Sequence, residues 1–181
     1  CDVYVTDSDT SAQYTTNLQG DIVDVAASNV KPRLKFFDAA QMQKSIAEIK
    51  PLFGGKLSVS DMYIQIENFS FTAQDPKNLN EINYYRMNSD ELLRADSSNS
   101  AFGFSNPFDV NEIDFSLIPK VMQKTLETVK MTGANVSAIR IKIPVDKFKA
   151  TKEIEWQVEA YGDRSEKETV VFDNSGNLKT K

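Results

Sequence analysis

Met42-Gln43-Lys44-Ser45-Ile46-Ala47-Glu48-Ile49-Lys50 returns about eighty positions on as Met122-Gln123-Lys124-Thr125-Leu126-Glu127-Thr128-Val129-Lys130. Met, Gln, Lys and the closing Lys are unchanged, and most other positions exchange like for like. Downstream, Val59-Ser60-Asp61-Met62-Tyr63-Ile64-Gln65-Ile66 is echoed by Val136-Ser137-Ala138-Ile139-Arg140-Ile141-Lys142-Ile143. Glu81-Ile82-Asn83-Tyr84 is echoed in turn by Glu153-Ile154-Glu155-Trp156. Echoes in the same order read as a tandem duplication, which constrains the fold before any single element does.

Each copy begins with a helix. In the first, Asp38 is placed to cap a helix from about Ala39 to Lys50, with Pro51 ending it and Ala39, Met42, Ile46 and Ile49 forming one buried stripe. In the second, Ser116 is the expected cap, Pro119 sits in the first turn, and Ile118, Met122, Leu126 and Val129 make the stripe. Strands follow. Met62, Ile64 and Ile66 alternate with Tyr63 and Gln65, and the extended run is expected to continue through Phe69 and Phe71. A turn at Asp75-Pro76-Lys77-Asn78 leads to strands at about Glu81–Met87 and Glu91–Ala95. In the second copy the strands run over Val136–Ile143, Glu153–Tyr161 and Thr169–Phe172, and Asp173-Asn174-Ser175-Gly176 closes the last.

The expected architecture is therefore α+β: tandem helix-β-β-β repeats forming antiparallel sheet, with both helices on one face. A first repeat over 21–98 includes edge segments at Asp21–Val25 and Arg33–Phe37, which flank Pro32. A Ser/Asn/Gly linker covers 99–115, where Phe102, Phe104 and Phe108 are expected to plug the seam, and a second repeat covers 116–181.

The chain has 181 residues, of which 40% are hydrophobic, enough for a real core. A net charge of −5 argues against nucleic acid as a partner. The one cysteine is Cys1, and the polar stretch behind it, residues 1–20, reads as a flexible tether. This is the pattern of a bacterial lipoprotein processed after a signal peptide and acylated, palmitate included, on Cys1. The alternative is an arbitrary chain start. No run of eighteen apolar residues occurs, so acyl chains would be the link to the membrane. The expected location is the periplasm-facing cell envelope, with inner and outer membrane both open.

Element order, the internal repeat and the ending Glu168-Thr169-Val170-Val171-Phe172-Asp173-Asn174-Ser175-Gly176-Asn177-Leu178 together resemble exported bacterial proteins of the PepSY-like and β-lactamase-inhibitor-protein-like group. The resemblance spans about Phe36 to Leu178 and implies a helix and small antiparallel sheet repeated in tandem. The inhibitor proteins carry disulfides within their repeats and this chain does not, so inhibitory activity is not carried over.

No histidine is present, which removes the commonest general base and metal ligand, and no glycine-rich phosphate loop occurs. No catalytic residue, metal or cofactor is assigned, and an enzyme is not expected. Asp21 and Asp24, or Asp109, Glu112 and Asp114, are acidic enough to suggest calcium, as is the loop from Asp173 to Asn177, but the loop lacks the alternating ligands and terminal Glu of an EF-hand and reads as a plain turn. The sheet face away from the helices is expected to carry Tyr63, Gln65, Asn83, Tyr85, Arg140, Lys142, Glu155, Gln157 and Tyr161. Of these, Tyr63, Gln65, Tyr85, Arg140, Lys142, Gln157 and Tyr161 are the candidate partner-binding residues, since tyrosines among mixed charges suit a recognition surface. An ordinary solvated face is the competing reading. The expected function is a lipid-anchored, non-enzymatic adaptor or inhibitor that binds an envelope or secreted protein. The alternative is a carrier or sensor of a small apolar ligand held between helices and sheet.

Overall fold

A computed structural model describes residues 2–6, 11–16, 22–26, 35–78, 81–88, 91–98, 106–145 and 152–179. The chain divides into two units, residues 1–33 and 34–181. In the first, β1 (Asp2–Thr6), β2 (Ser11–Thr16) and β3 (Ile22–Ala26) form an antiparallel three-stranded sheet in the order β1-β2-β3. β3 takes up the strand expected over Asp21–Val25, within a sheet of its own. Cys1 lies outside the described residues.

The second unit opens with α1 (Ala39–Ile49), capped as the sequence suggests: Asp38 accepts a hydrogen bond from the Gln41 amide at 2.7 Å. Met42, Ser45, Ile46 and Ile49 are its buried residues. Pro51 tightens the chain into a 3-10 turn, Lys50–Phe53, closed by Gly54 at φ 70°, a left-handed conformation that favours glycine. Phe36 and Phe37 lie in a turn ahead of α1 instead of an edge strand.

β4 (Ser58–Ile64) and β5 (Asn68–Gln74) form a hairpin, so the run through Phe69 and Phe71 is a separate strand and not an extension of the first. The apolar alternation explains why. It occupies even positions at Met62 and Ile64 and odd positions at Phe69 and Phe71, and an unbroken strand would send the two sets to opposite faces. The chain turns at Gln65–Glu67, where Gln65 donates to the Asn68 carbonyl at 2.8 Å and Ile66 is left 52% exposed. β6 (Ile82–Asn88) and β7 (Glu91–Ser98) continue the meander. At the turn before β6, the Asp75 carboxylate accepts from the amides of Lys77 and Asn78.

β8 (Phe108–Asp109) adds a short pairing to the start of β4 and buries Phe108. Phe102 and Phe104 lie outside the described residues. Asp114, and not Ser116, supplies the cap that follows. Its carboxylate accepts from the Ser116 amide at 3.0 Å and starts a 3-10 turn, Phe115–Leu117, which runs into α2 (Ile118–Thr128) with Pro119 at its start. The helix is therefore rotated from the expected setting. Ile118, Val121 and Thr125 are buried, Met122 is partly buried, and Leu126 is 41% exposed. Thr125, fully buried, donates its hydroxyl to the Val121 carbonyl at 2.7 Å, which satisfies its polar group within the helix.

β9 (Asn135–Lys142), β10 (Glu155–Tyr161) and β11 (Lys167–Asp173) complete the unit. The path through the main sheet is β11-β10-β9-β4-β5-β6-β7, antiparallel throughout. β4 and β9 join the strands that follow α1 to those that follow α2. β10 neighbours β9 as β5 neighbours β4, so Glu81–Tyr84 and Glu153–Trp156, alike in sequence, enter strands at different distances from this junction.

One hydrophobic core unites the pieces. Met62, Ile64, Phe69, Phe71, Met87, Ile139, Ile141, Trp156, Val158, Val170 and Phe172 form rows across the sheet on the face that meets Met42, Ile46, Ile49, Ile118 and Val121 of the helices. Side chains of this size contribute about 1.5–3 kcal/mol each when fully buried. Both helices thus serve one face, and the other is left for polar side chains.

Candidate functional site

Where β4 meets β9, Tyr63 stands opposite Arg140 and Asp61 opposite Lys142. The next strands outward add Ser70 opposite Tyr63 and Thr72 opposite Asp61, then Arg86 opposite Ser70 and Tyr84 opposite Thr72. On the other side, Gln157 lies opposite Arg140 and Glu155 opposite Lys142. Antiparallel registration alone therefore assembles two polar rows across the outer face.

Two ion-paired groups dominate it. Arg140 grips Asp61 through Nε, at 2.9 and 3.1 Å from the two carboxylate oxygens, and through one Nη nitrogen. Hydrogen bonding to Asp61 pushes the guanidinium pKa up, so this charge is permanent. Farther along β10, Glu159 Oε2 accepts from Lys167 at 2.9 Å and, over a long 3.5 Å, from the Tyr63 hydroxyl. Burial first, and the Glu159 carboxylate second, raise the Tyr63 phenol above its ordinary range. Lys167 also lies over the Tyr161 ring, 5.6 Å from its centroid.

Between Tyr63 and Tyr84 the face sinks into a shallow depression of about 210 Å³, lined by Asp61, Tyr63, Ser70, Thr72, Tyr84 and Arg140 with Phe71 beneath. It lies on the face opposite the helices. Ser70 is only 2% exposed.

Of the residues expected on this face, Tyr63, Arg140, Lys142 and Gln157 are there, half-buried and clustered at the junction. Tyr161, 41% exposed, sits at the far end of β10, and Gln65 one residue beyond the end of β4. Tyr85 is not on the face. It is 7% exposed, stacks on Phe71 at a centroid distance of 5.3 Å, and meets the edge of Phe53 at 5.0 Å. Asn83, fully buried, is with it on the helix side, donating to Asp75 at 2.7 Å and to the Tyr85 hydroxyl at 3.4 Å. Neighbouring strand residues point to opposite faces, so only one of Tyr84 and Tyr85 is available outside. Pairing with Phe71 selects Tyr85 for the core and leaves Tyr84 outside. Sequence reasoning missed Asp61, Ser70, Thr72, Tyr84 and Lys167. The Tyr63–Arg140 echo contained the signal for Asp61, two residues before Tyr63 on the same face.

The acidic stretches spend their carboxylates locally. Asp109 and Glu112 form a reciprocal capping box, Asp114 caps the next turn, and Asp173 accepts from the amides of Ser175 and Asn177 and from the Asn177 side chain. Among the described residues, no cluster of three or more His, Cys, Asp or Glu could hold a metal ion. No helix among them is long and apolar enough to cross a membrane.

No protein-family model matches the chain, and neither a curated protein nor a solved structure matches it.

Proposed function

We propose that this protein is a non-enzymatic binding module that docks another protein, of the bacterial envelope or secreted, on the outer face of its main sheet. The observation that carries this reading is the depression at the β4–β9 junction, where Tyr63 and Tyr84 flank a fixed Arg140–Asp61 pair. Tyr and Arg are the side chains that most often anchor interfaces, because they bury a large area while holding directional polar groups. Here the charges are ordered before any partner arrives, which lowers the entropic cost of association. Acylation of Cys1 belongs to this reading as an expectation about anchoring, independent of the face itself.

We infer in addition that the segments led by α1 and α2 are copies of one ancestral unit, related to the PepSY-like and β-lactamase-inhibitor-protein-like group. The shift that carries Val59 to Val136 supports this. Applied to the β4–β9 register, it turns the Met62–Ile141 pair into Ile139–Ile64, which is also a pair, and makes Tyr63 and Arg140 exchange places. A junction that maps onto itself is what two copies joined about a local two-fold would have.

The test is capture from envelope extracts by the wild-type chain and by Tyr63→Ala/Tyr84→Ala, with Gln123→Ala on exposed α2 surface as the control. The reading expects a protein held by the wild type and the control and lost by the double variant. Equal capture by all three would sink it.

A further inference from the structure

Ser70 is nearly inaccessible and polar, yet its hydroxyl makes no hydrogen bond with any of the described residues. A buried hydroxyl left without a partner is costly, and native structures almost always provide one. This one lines the depression, so its partner has to come from the solvent side. The hydroxyls of Thr72 and Tyr84 line the same space, and neither is engaged within the described residues. Arg140 commits Nε and one Nη nitrogen to Asp61, leaving the other Nη for an incoming acceptor.

The charges around the depression point the same way. Asp61 is paired with Arg140 and Glu159 with Lys167, while Lys179 is shared between Glu155 at 2.7 Å and Glu153 at 3.4 Å. Arg86, beside Ser70, and Lys142, beside Asp61, form no ion pair with the described residues. On a chain whose net charge is −5, these are two cations beside the depression with no ion-pair partner among the described residues. Its capacity is small. At about 210 Å³ it exceeds the roughly 150 Å³ cavity that holds a benzene ring but falls short of the roughly 300–1,000 Å³ of drug-sized ligand sites. It suits one side chain.

We propose that the depression accepts a carboxylate, presented as an aspartate or glutamate side chain on the surface of the docked protein. This rests on the docking reading above and gives it a chemistry. Ser70, Thr72 and Tyr84 donate to the carboxylate oxygens, the free Nη of Arg140 supplies a charged donor, and Arg86 and Lys142 steer acidic surfaces toward the face.

The experiment titrates the full chain, followed by NMR, with N-acetyl-glutamate N-methylamide, its glutamine counterpart and sulfate. The expected result is saturable shifts at Ser70, Thr72 and the Arg140 Nε–H with the glutamate probe, at a dissociation constant on the order of 1 mM. The glutamine probe and sulfate should leave those signals in place. Ser70→Ala, which removes no internal bond and so retains the fold, should weaken the glutamate probe about tenfold, as expected for one hydrogen bond to a charged group. Equal shifts with glutamate and glutamine, or with sulfate, would overturn the assignment. If Tyr63→Ala/Tyr84→Ala abolishes capture while glutamate shows no preference, the carboxylate falls and the docking face stands. If glutamate is preferred but capture is unchanged, the docking face falls, and with it the source of the carboxylate.

Discussion

Tyr63 and Arg140 face each other across the β4–β9 junction, yet each takes its polar partner from elsewhere: Tyr63 from Glu159 on β10, Arg140 from Asp61 on β4. The two bonds cross the junction in opposite directions and tie its halves together. Polar contacts on this face thus complement the core rows beneath, where Met62 meets Ile141 and Ile64 meets Ile139.

The Arg140–Asp61 pair is part-exposed, with side-chain accessibilities of 42% and 32%, so its contribution is modest despite good geometry. A double-mutant cycle with Arg140→Ala and Asp61→Ala, read by urea denaturation, should give a coupling of about 0.5–1 kcal/mol that shrinks at high salt. Zero coupling would mean that the pair fixes side-chain positions without holding the junction.

Val121 and Leu126 separate the two possible settings of α2. Val121 is fully buried and Leu126 is 41% exposed. Val121→Ala should cost about 1–3 kcal/mol, whereas Leu126→Ala should change stability by less than about 0.5 kcal/mol. Thermal denaturation of both variants checks this, and the reverse ranking would restore the helix face read from the spacing of Ile118, Met122, Leu126 and Val129.

Asp173 governs an acid-sensitive turn. Amide donation, chiefly from Asn177, holds its carboxyl below the ordinary aspartate range. Because the folded pKa is depressed, the stabilisation is present above the unfolded aspartate value of about 3.9 and disappears as pH falls through the folded value. Asp173→Asn should remove this part of the acid dependence, seen as a flatter plot of melting temperature against pH below about 4.

Tyr63 moves the other way. With its phenol pKa raised, folding favours the protonated form, so its contribution is present below about pH 10 and lost as pH rises through the folded value. In ultraviolet titration, Tyr63→Phe should delete a late-ionising component, and Glu159→Gln should move that component to lower pH. A missing component at ordinary pH would contradict the burial of this phenol.

Several elements were legible because their causes are local. Asp38 has a free helix terminus beside it, Pro51 cannot continue a helix, and Asp75-Pro76 makes a turn with its own side chain. The alternation also gave faces directly, throughout β10 and over Ile139–Lys142 of β9, although the register between the two strands shifts at Glu159/Ala160 and Ala138 is buried beside Ile139. The hairpin at Gln65–Glu67 was legible too, in the change of phase between Ile64 and Phe69, but only if that change is treated as a break.

The α+β composition, two amphipathic helices and much of the strand alternation can be read from the chain alone, because these depend on residue type and on spacing along one segment. Which of Tyr84 and Tyr85 reaches the outer face, the rotation of α2, and the meeting of Ser70, Thr72, Tyr84 and Arg140 around one depression were decided by the tertiary structure. Those outcomes depend on which strands become neighbours and in what register, and on a single core that admits one side of each element. A hydroxyl such as that of Ser70 becomes informative only once the surrounding sheet has removed its water.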